Sequence, residues 1–218
     1  MAGYDDFYSR GDFIHFTQDR TYINQLCSFL PDPTHSRVLD VGCGRGYWTR
    51  LFLECGVGQV TGIDLSPVAV ELAKHLVSEG RFLAADASHL PFEDKTFDTV
   101  FCQGLSLYNT VDLPKTRELG IELLRCCKDN GLLVFAMTTN LSGKLKRGFR
   151  QHKLESVISY LESLDCQIVV TYFIDRFVFL RLLGRNVFKP LFARYTIPFI
   201  CHLTGLPGLL VCVTRKKQ

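Results

Sequence analysis

The chain has 218 residues, of which 47% are hydrophobic, 12% aromatic and 22% charged. A chain of this length buries about 70 to 75% of its unfolded surface, which excludes a disordered tail and predicts one domain, or one with an insertion. The formal net charge of +3 conceals an asymmetry: residues 1–109 carry 8 Lys and Arg against 14 Asp and Glu, while residues 110–218 carry 17 against 8.

Nine cysteines are scattered with no C-x-x-C and no Cys/His cluster at metal spacing, which predicts reduced core thiols and no metal site. The start, Met1-Ala-Gly-Tyr-Asp-Asp, is acidic with no apolar run behind it and does not read as a signal peptide. A cytoplasmic location is expected. An aromatic-rich stretch from Tyr4 to Phe16 comes first, and apolar residues at 22, 23, 26, 29 and 30 predict a helix from about Thr17 to Leu30, stopped by Pro31 and Pro33.

The next stretch organises the rest. Residues 37–41 read as a short apolar strand, and the apolar positions 47, 48, 51, 52 and 55 have helical spacing. Between them lie Gly42, Cys43, Gly44, Arg45 and Gly46. Glycine suits a turn whose backbone needs positive φ or must lie against a ligand. The crevice outside the carboxyl end of such a strand is where open α/β sheets bind ligands. A dinucleotide turn would place its third glycine at 47, where Tyr47 stands, and the G-K-[ST] of a phosphate loop does not occur. The pattern Asp-x-Gly-x-Gly-x-Gly over 40–46 resembles the first motif of the class I S-adenosylmethionine-dependent methyltransferases.

The resemblance implies roles for this turn and for residues further along the chain. The turn would take the amino-acid end of S-adenosylmethionine, with Asp40 anchoring it and attracting the amine. A strand at 58–63 delivers Asp64, 18 residues past Gly46, placed to accept both ribose hydroxyls. Ser66-Pro67 supplies the cap of the next helix, 67–78, which leaves Asp64 to the ligand. A strand at 81–85 leads to Asp86 and Ala87, implied to meet the adenine, with Leu65 packed on the ring face. The N-terminal segment would fold over the cofactor as a lid, with Tyr4, Tyr8, Arg10 and His15 as contacts; plain coverage of the sheet edge is the alternative.

A strand at 99–102 ends at Gln103 and Gly104, whose carbonyls could meet the methionine amine. Leu105, Ser106, Tyr108 and Asn109 would border the substrate. A helix at 113–128, a turn at 129–131, a strand at 132–137, a basic loop at 142–153, a helix at 154–164 and strands at 167–174 and 209–214 complete the pattern. The implied fold is α/β, a Rossmann-like three-layer sandwich. Its seven-stranded, mostly parallel sheet has an antiparallel last strand, N-terminal lid helices and a C-terminal helical insertion. The organisation is one methyltransferase domain: lid 1–36, cofactor-binding core 37–174, insertion 175–208, and last strand with basic tail 209–218.

The insertion is the least family-like part. Its Arg and Lys at 176, 181, 185, 189 and 194 interleave with aliphatic and Phe residues, as in a basic amphipathic helix broken near Pro190. Such a helix can lie peripherally in a membrane interface through 176–194, close a greasy pocket, or cap the fold.

Methyl transfer would be an in-line displacement, for which the protein supplies alignment and a dry pocket. A high-pKa acceptor would also need a base. His15, Tyr108 and His202 are the candidates, while His35, His75, His89 and His152 read as surface positions. The expected acceptor is an O, N or C nucleophile of a small or lipid-like molecule. The alternative is a methyltransferase or S-adenosylmethionine-binding protein directed at RNA or protein. Nucleic acid is disfavoured, because the basic half lacks aromatic stacking platforms and the Asn/Asp-Pro-Pro-Tyr/Phe tip motif.

Overall fold

The computed structural model describes residues 19–146, 148–174 and 208–217. The elements in chain order are α1 (Asp19–Cys27), β1 (Arg37–Val41), α2 (Tyr47–Glu54), β2 (Gln59–Asp64), α3 (Pro67–Leu76), β3 (Arg81–Ala84), β4 (Phe97–Gln103), α4 (Leu107–Thr110), α5 (Arg117–Cys126), β5 (Cys127–Thr139), β6 (Leu145–Lys146), β7 (Phe149–Arg150), α6 (Leu154–Ser163), β8 (Cys166–Ile174) and β9 (Gly208–Lys216). Seven strands form one sheet in the order β3-β2-β1-β4-β5-β9-β8. The β1/β2 and β2/β3 pairs are parallel, and β8/β9 is antiparallel. This is the Rossmann-like α/β sheet expected from the sequence.

The chain divides into two compact units. The first holds residues 1–101 with 122–132, and the second holds 102–121 with 133–218. In the first, the burial of β1 after its exposed first residue, Arg37, follows from the run Val38, Leu39 and Val41, each with no exposed surface. α1 docks on α2 through edge-on packing of Tyr22 against Trp48 (ring centroids 5.6 Å apart) and an Arg20–Glu54 ion pair. Phe52 and Trp48 of α2 both reach Phe101 of β4. In the second unit, Thr214 of β9 donates its hydroxyl to the Leu133 carbonyl of β5 at 3.0 Å.

Two stretches differ from expectation. β5 begins at Cys127, five residues before the apolar run, where helix and turn were predicted. The early start is held by Lys128, whose ammonium pairs with Asp98 of β4 at 2.8 Å, and Asn130 absorbs the turn at φ +60°. The basic stretch 142–153 is partly a hairpin, not a loop. Leu145 pairs with Arg150 and Lys146 with Phe149. Gly148, at φ +83°, supplies the left-handed conformation that so tight a reversal needs. Gly143 and Gln151 continue the ladder.

Candidate active site

In the first unit the chain leaves β1 and enters a turn in which Gly42, Gly44 and Gly46 all have positive φ (+75°, +55° and +78°). An L side chain at any of these positions would be strained. The turn is fastened at several points. The Gly42 and Cys43 amides both donate to the Ile63 carbonyl at 2.8 Å, and the Gly46 amide donates to the Cys43 carbonyl at 2.9 Å. The Cys43 side chain drops into a cluster with Val70, Ala73, Val77 and Phe82, so the turn is nailed to α3 and β3 from below. A Cβ on Gly46 would lie 2.9 Å from Phe82 Cζ, which leaves no room for alanine there.

Asp64, at the end of β2, is nearly buried. Its Oδ2 accepts from the Gly44 amide and its Oδ1 from the Ser66 amide, both at 2.9 Å. The turn is therefore anchored by Asp64, not by Asp40 as the sequence suggested. Ser66 caps α3 as expected, its hydroxyl accepting from the Ala69 amide at 3.1 Å with Pro67 in the first helical turn.

Asp40 is fully buried, and its Oδ2 accepts from the Thr49 hydroxyl of α2 at 2.7 Å. Burial pushes its carboxyl up to about 7 from 3.8, and the nearby Asp64 charge adds to the rise while the Thr49 bond works against it. A fixed cation beside this group would favour its ionised form. Thr49 was not singled out from the sequence. The signal available was a hydroxyl in the first turn of the helix after the glycines.

Past Asp64, Leu65 leaves nearly half its surface open. Asp86 is exposed, its Oδ1 accepting from the Ser88 amide at 2.8 Å, and Ala87 is half-buried. The loop that carries them on to β4 is gripped by Arg125. All the guanidinium nitrogens of Arg125 are engaged: Nε and Nη2 with Glu122, Nη1 with the Phe92 carbonyl and Asp94, and Nη2 also with the Leu90 carbonyl, at 2.7 to 3.0 Å. Glu122 also accepts from the Leu90 amide at 2.7 Å. The Glu-x-x-Arg spacing on α5 was the unused clue to this clasp.

In the second unit, Gln103 ends β4 nearly buried, with no hydrogen-bond partner for its Oε1 among the described residues. A buried amide oxygen without a partner costs about 1 to 3 kcal/mol, which fits an atom kept for a ligand. Gly104 follows at φ +70° and donates to the Ala136 carbonyl at 3.0 Å. Leu105 and Ser106 are half-buried.

Tyr108 and Asn109, expected at a substrate border, are core residues. The Tyr108 ring packs edge-on against Phe135 at 4.5 Å, and its hydroxyl lies 3.5 Å from that of Tyr160. Burial raises its pKa well above 10, so the phenol keeps its proton at neutral pH and is unsuited to act as a base. The Asn109 amide donates to the Thr138 and Arg150 carbonyls, both at 3.1 Å. His152 is also a correction. Read from sequence as a surface residue, it is more than nine-tenths buried and donates Nε2–H to the Tyr108 carbonyl at 2.8 Å. Burial lowers its pKa.

Tyr4, Tyr8, Arg10, His15 and His202 lie outside the described residues, as do 175–207 of the insertion. Among the described residues no group of three His, Cys, Asp or Glu could hold a metal ion, and no helix is long and apolar enough to cross a membrane.

Residues 38–131 match the methyltransferase domain family. Squalene methyltransferase 1 of Botryococcus braunii is 29% identical over 124 residues, covering 54% of this chain and 32% of that protein. Demethylmenaquinone methyltransferase of Staphylococcus saprophyticus is 32% identical over 133 residues, covering 59% of this chain and 55% of its own. The chain thus spans about half or less of the length of the curated relatives it matches. Geranyl diphosphate methyltransferase, solved with geranyl diphosphate and sinefungin, superposes with a TM-score of 0.67 at 15% identity, covering 92% of this chain and 77% of that one. Residues 38–131, which hold the positive-φ glycine turn at the end of β1, are thus similar to the methyltransferase domain family, and the fold is that of the Rossmann-like methyltransferases.

Proposed function

We propose that the chain transfers a methyl group from S-adenosylmethionine to an O, N or C nucleophile of a small or lipid-like acceptor. The observation that carries the cofactor half is the turn itself: three glycines at positive φ, fixed to Asp64 through the Gly44 amide, with Leu65 left open beside them. When bound, the cofactor supplies an activated sulfonium methyl. Gly42, Cys43, Gly44 and Gly46 would present backbone to its amino-acid end, with Asp40 beneath as an acid whose ionisation a cationic amine favours. Asp64 would take the ribose, Leu65 the adenine face, and Asp86 and Ala87 the adenine edge. Gln103 and Gly104 would add acceptor oxygens. The lid residues Tyr8 and Arg10 complete the proposed set.

The acceptor class rests on the relatives, whose names specify squalene and demethylmenaquinone. Both are apolar molecules. The insertion 175–208, rich in Phe and Leu between basic residues, suits such an acceptor, either as a pocket wall or as peripheral membrane contact through 176–194. His15 and His202 remain the proposed bases where an acceptor must lose a proton. A cytoplasmic location is part of the same proposal.

Calorimetric titration with S-adenosylmethionine tests the first half. Saturable binding that Asp64→Ala weakens by about 2 kcal/mol, or about thirtyfold, is the expected result; equal affinity in both proteins removes Asp64 from the ribose. Incubation with methyl-labelled cofactor and cell extract tests the second. Label in the lipid or small-molecule fraction is expected, and label confined to RNA or protein overturns it.

A further inference from the structure

The second unit contains a groove that none of the described residues of the proposed cofactor set lines. It has a volume of about 660 Å³ and lies between the segment opening α5 and the outer face of α6. Arg117, the first residue of α5, stands on one wall, and Glu155, in the first turn of α6, on the other. Both are exposed. Neither makes a hydrogen bond or ion pair among the described residues, and they do not reach each other. Two opposite charges thus line one cavity without meeting, each open to a ligand. The neighbouring Asp112 is taken by Arg150 at 3.0 Å.

A second observation points the same way. His152 lines this groove although it is more than nine-tenths buried. Its Nε2 must carry the hydrogen, because its partner is a carbonyl oxygen. Nδ1 is then an acceptor, and it has no partner among the described residues. Ser156 and Ser159 on α6 add hydroxyls with no protein partner among the described residues, and Leu113 with the Tyr160 ring forms an apolar floor.

We infer that this groove binds a small zwitterion, with its ammonium between Glu155 and the His152 Nδ1 and its phosphate or carboxylate on Arg117 and the two serine hydroxyls. The walls impose this class. A simple anion would satisfy Arg117 but face Glu155 and the His152 lone pair, and a simple cation would meet Arg117. A zwitterion satisfies all of them and needs no net charge from the groove. Occupancy would be felt at α4, because the His152 ring also holds the Tyr108 carbonyl.

The test uses the full chain labelled with ¹⁵N at histidine, without cofactor, so its outcome is independent of the methyltransferase reading. The probes are O-phosphoethanolamine and β-alanine, with inorganic phosphate and ethanolamine as single-charge controls. The expected result is a saturable shift of the His152 Nδ1 resonance with at least one zwitterion, about tenfold or more tighter than with either control. Arg117→Gln and Glu155→Gln, both surface changes, should each weaken it by a similar factor. Saturation by O-phosphoethanolamine alone identifies a phosphorylated amine such as a lipid headgroup, and by β-alanine alone a free amino acid. An unmoved His152 resonance, phosphate binding as tightly as the zwitterions, or indifference to both substitutions would overturn the proposal.

Discussion

The glycine turn of the first unit and the strand-tip region of the second are built by opposite means. The turn is fixed by contacts that its own motif makes with the next strand: two amides on the Ile63 carbonyl, and Gly44 on Asp64. The tip region is fixed by side chains far apart in sequence. Asn109 reaches Thr138 and Arg150, His152 reaches Tyr108, and Tyr160 donates to the Thr116 carbonyl at 3.0 Å. A site assembled from a contiguous motif tolerates change elsewhere in the chain. A site assembled from distant partners depends on all of them, and its residues serve packing first.

The contrast can be broken most forcefully at Asp40. Its carboxyl has a raised folded pKa, so the protonated form stabilises the fold below the ordinary range near 3.8, and that stability is lost as pH rises through about 7. About 4 kcal/mol should disappear across this window, and Asp40→Asn should flatten the profile; denaturant melts at several pH values read both. Gly46→Val forces a β-branched residue to φ +78° against Phe82. It should cost about 3 kcal/mol, seen as a lower melting temperature and lost cofactor binding. Asn109→Ala leaves two carbonyls without their donor and should cost about 1 to 3 kcal/mol of stability. If the two regions are independent, cofactor affinity measured well below the melting temperature should not move. The smallest change is expected from Gln103→Met, which removes the unpartnered Oε1. The ligand-free protein should gain about 1 kcal/mol in a thermal melt, while cofactor affinity falls.

The same contrast explains what could be read in advance. The seven strands and the helices of the first unit were legible because apolar period and turn residues are local signals. So were the glycines and the cap at Ser66. Asp64 was placed correctly on β2, but its bond to Gly44 spans 20 residues and has no local mark. Tyr108, Asn109 and His152 were misjudged for one reason. A polar residue near a strand tip reads as a ligand contact or surface group until its distant partner is known, and here the partners sit on β5, β7, α6 and the segments beside them. The hairpin at 145–150 was missed because its stretch carries charge instead of alternation, and only Gly148 marked the reversal.

The Arg125 clasp carries one more consequence. Guanidinium keeps its proton at every physiological pH, and its carboxylate partners raise its pKa further. Glu122, in turn, is held below the usual carboxylate range by the same contact. The segment with Asp86 and Ala87 is thus tied down by charges that stay on, whereas Asp40, under the glycines, gains or loses its charge close to neutrality. In the proposed site, a shift in acidity near neutrality would change the charge beneath the cofactor's amino-acid end and leave the segment at its adenine end as it was.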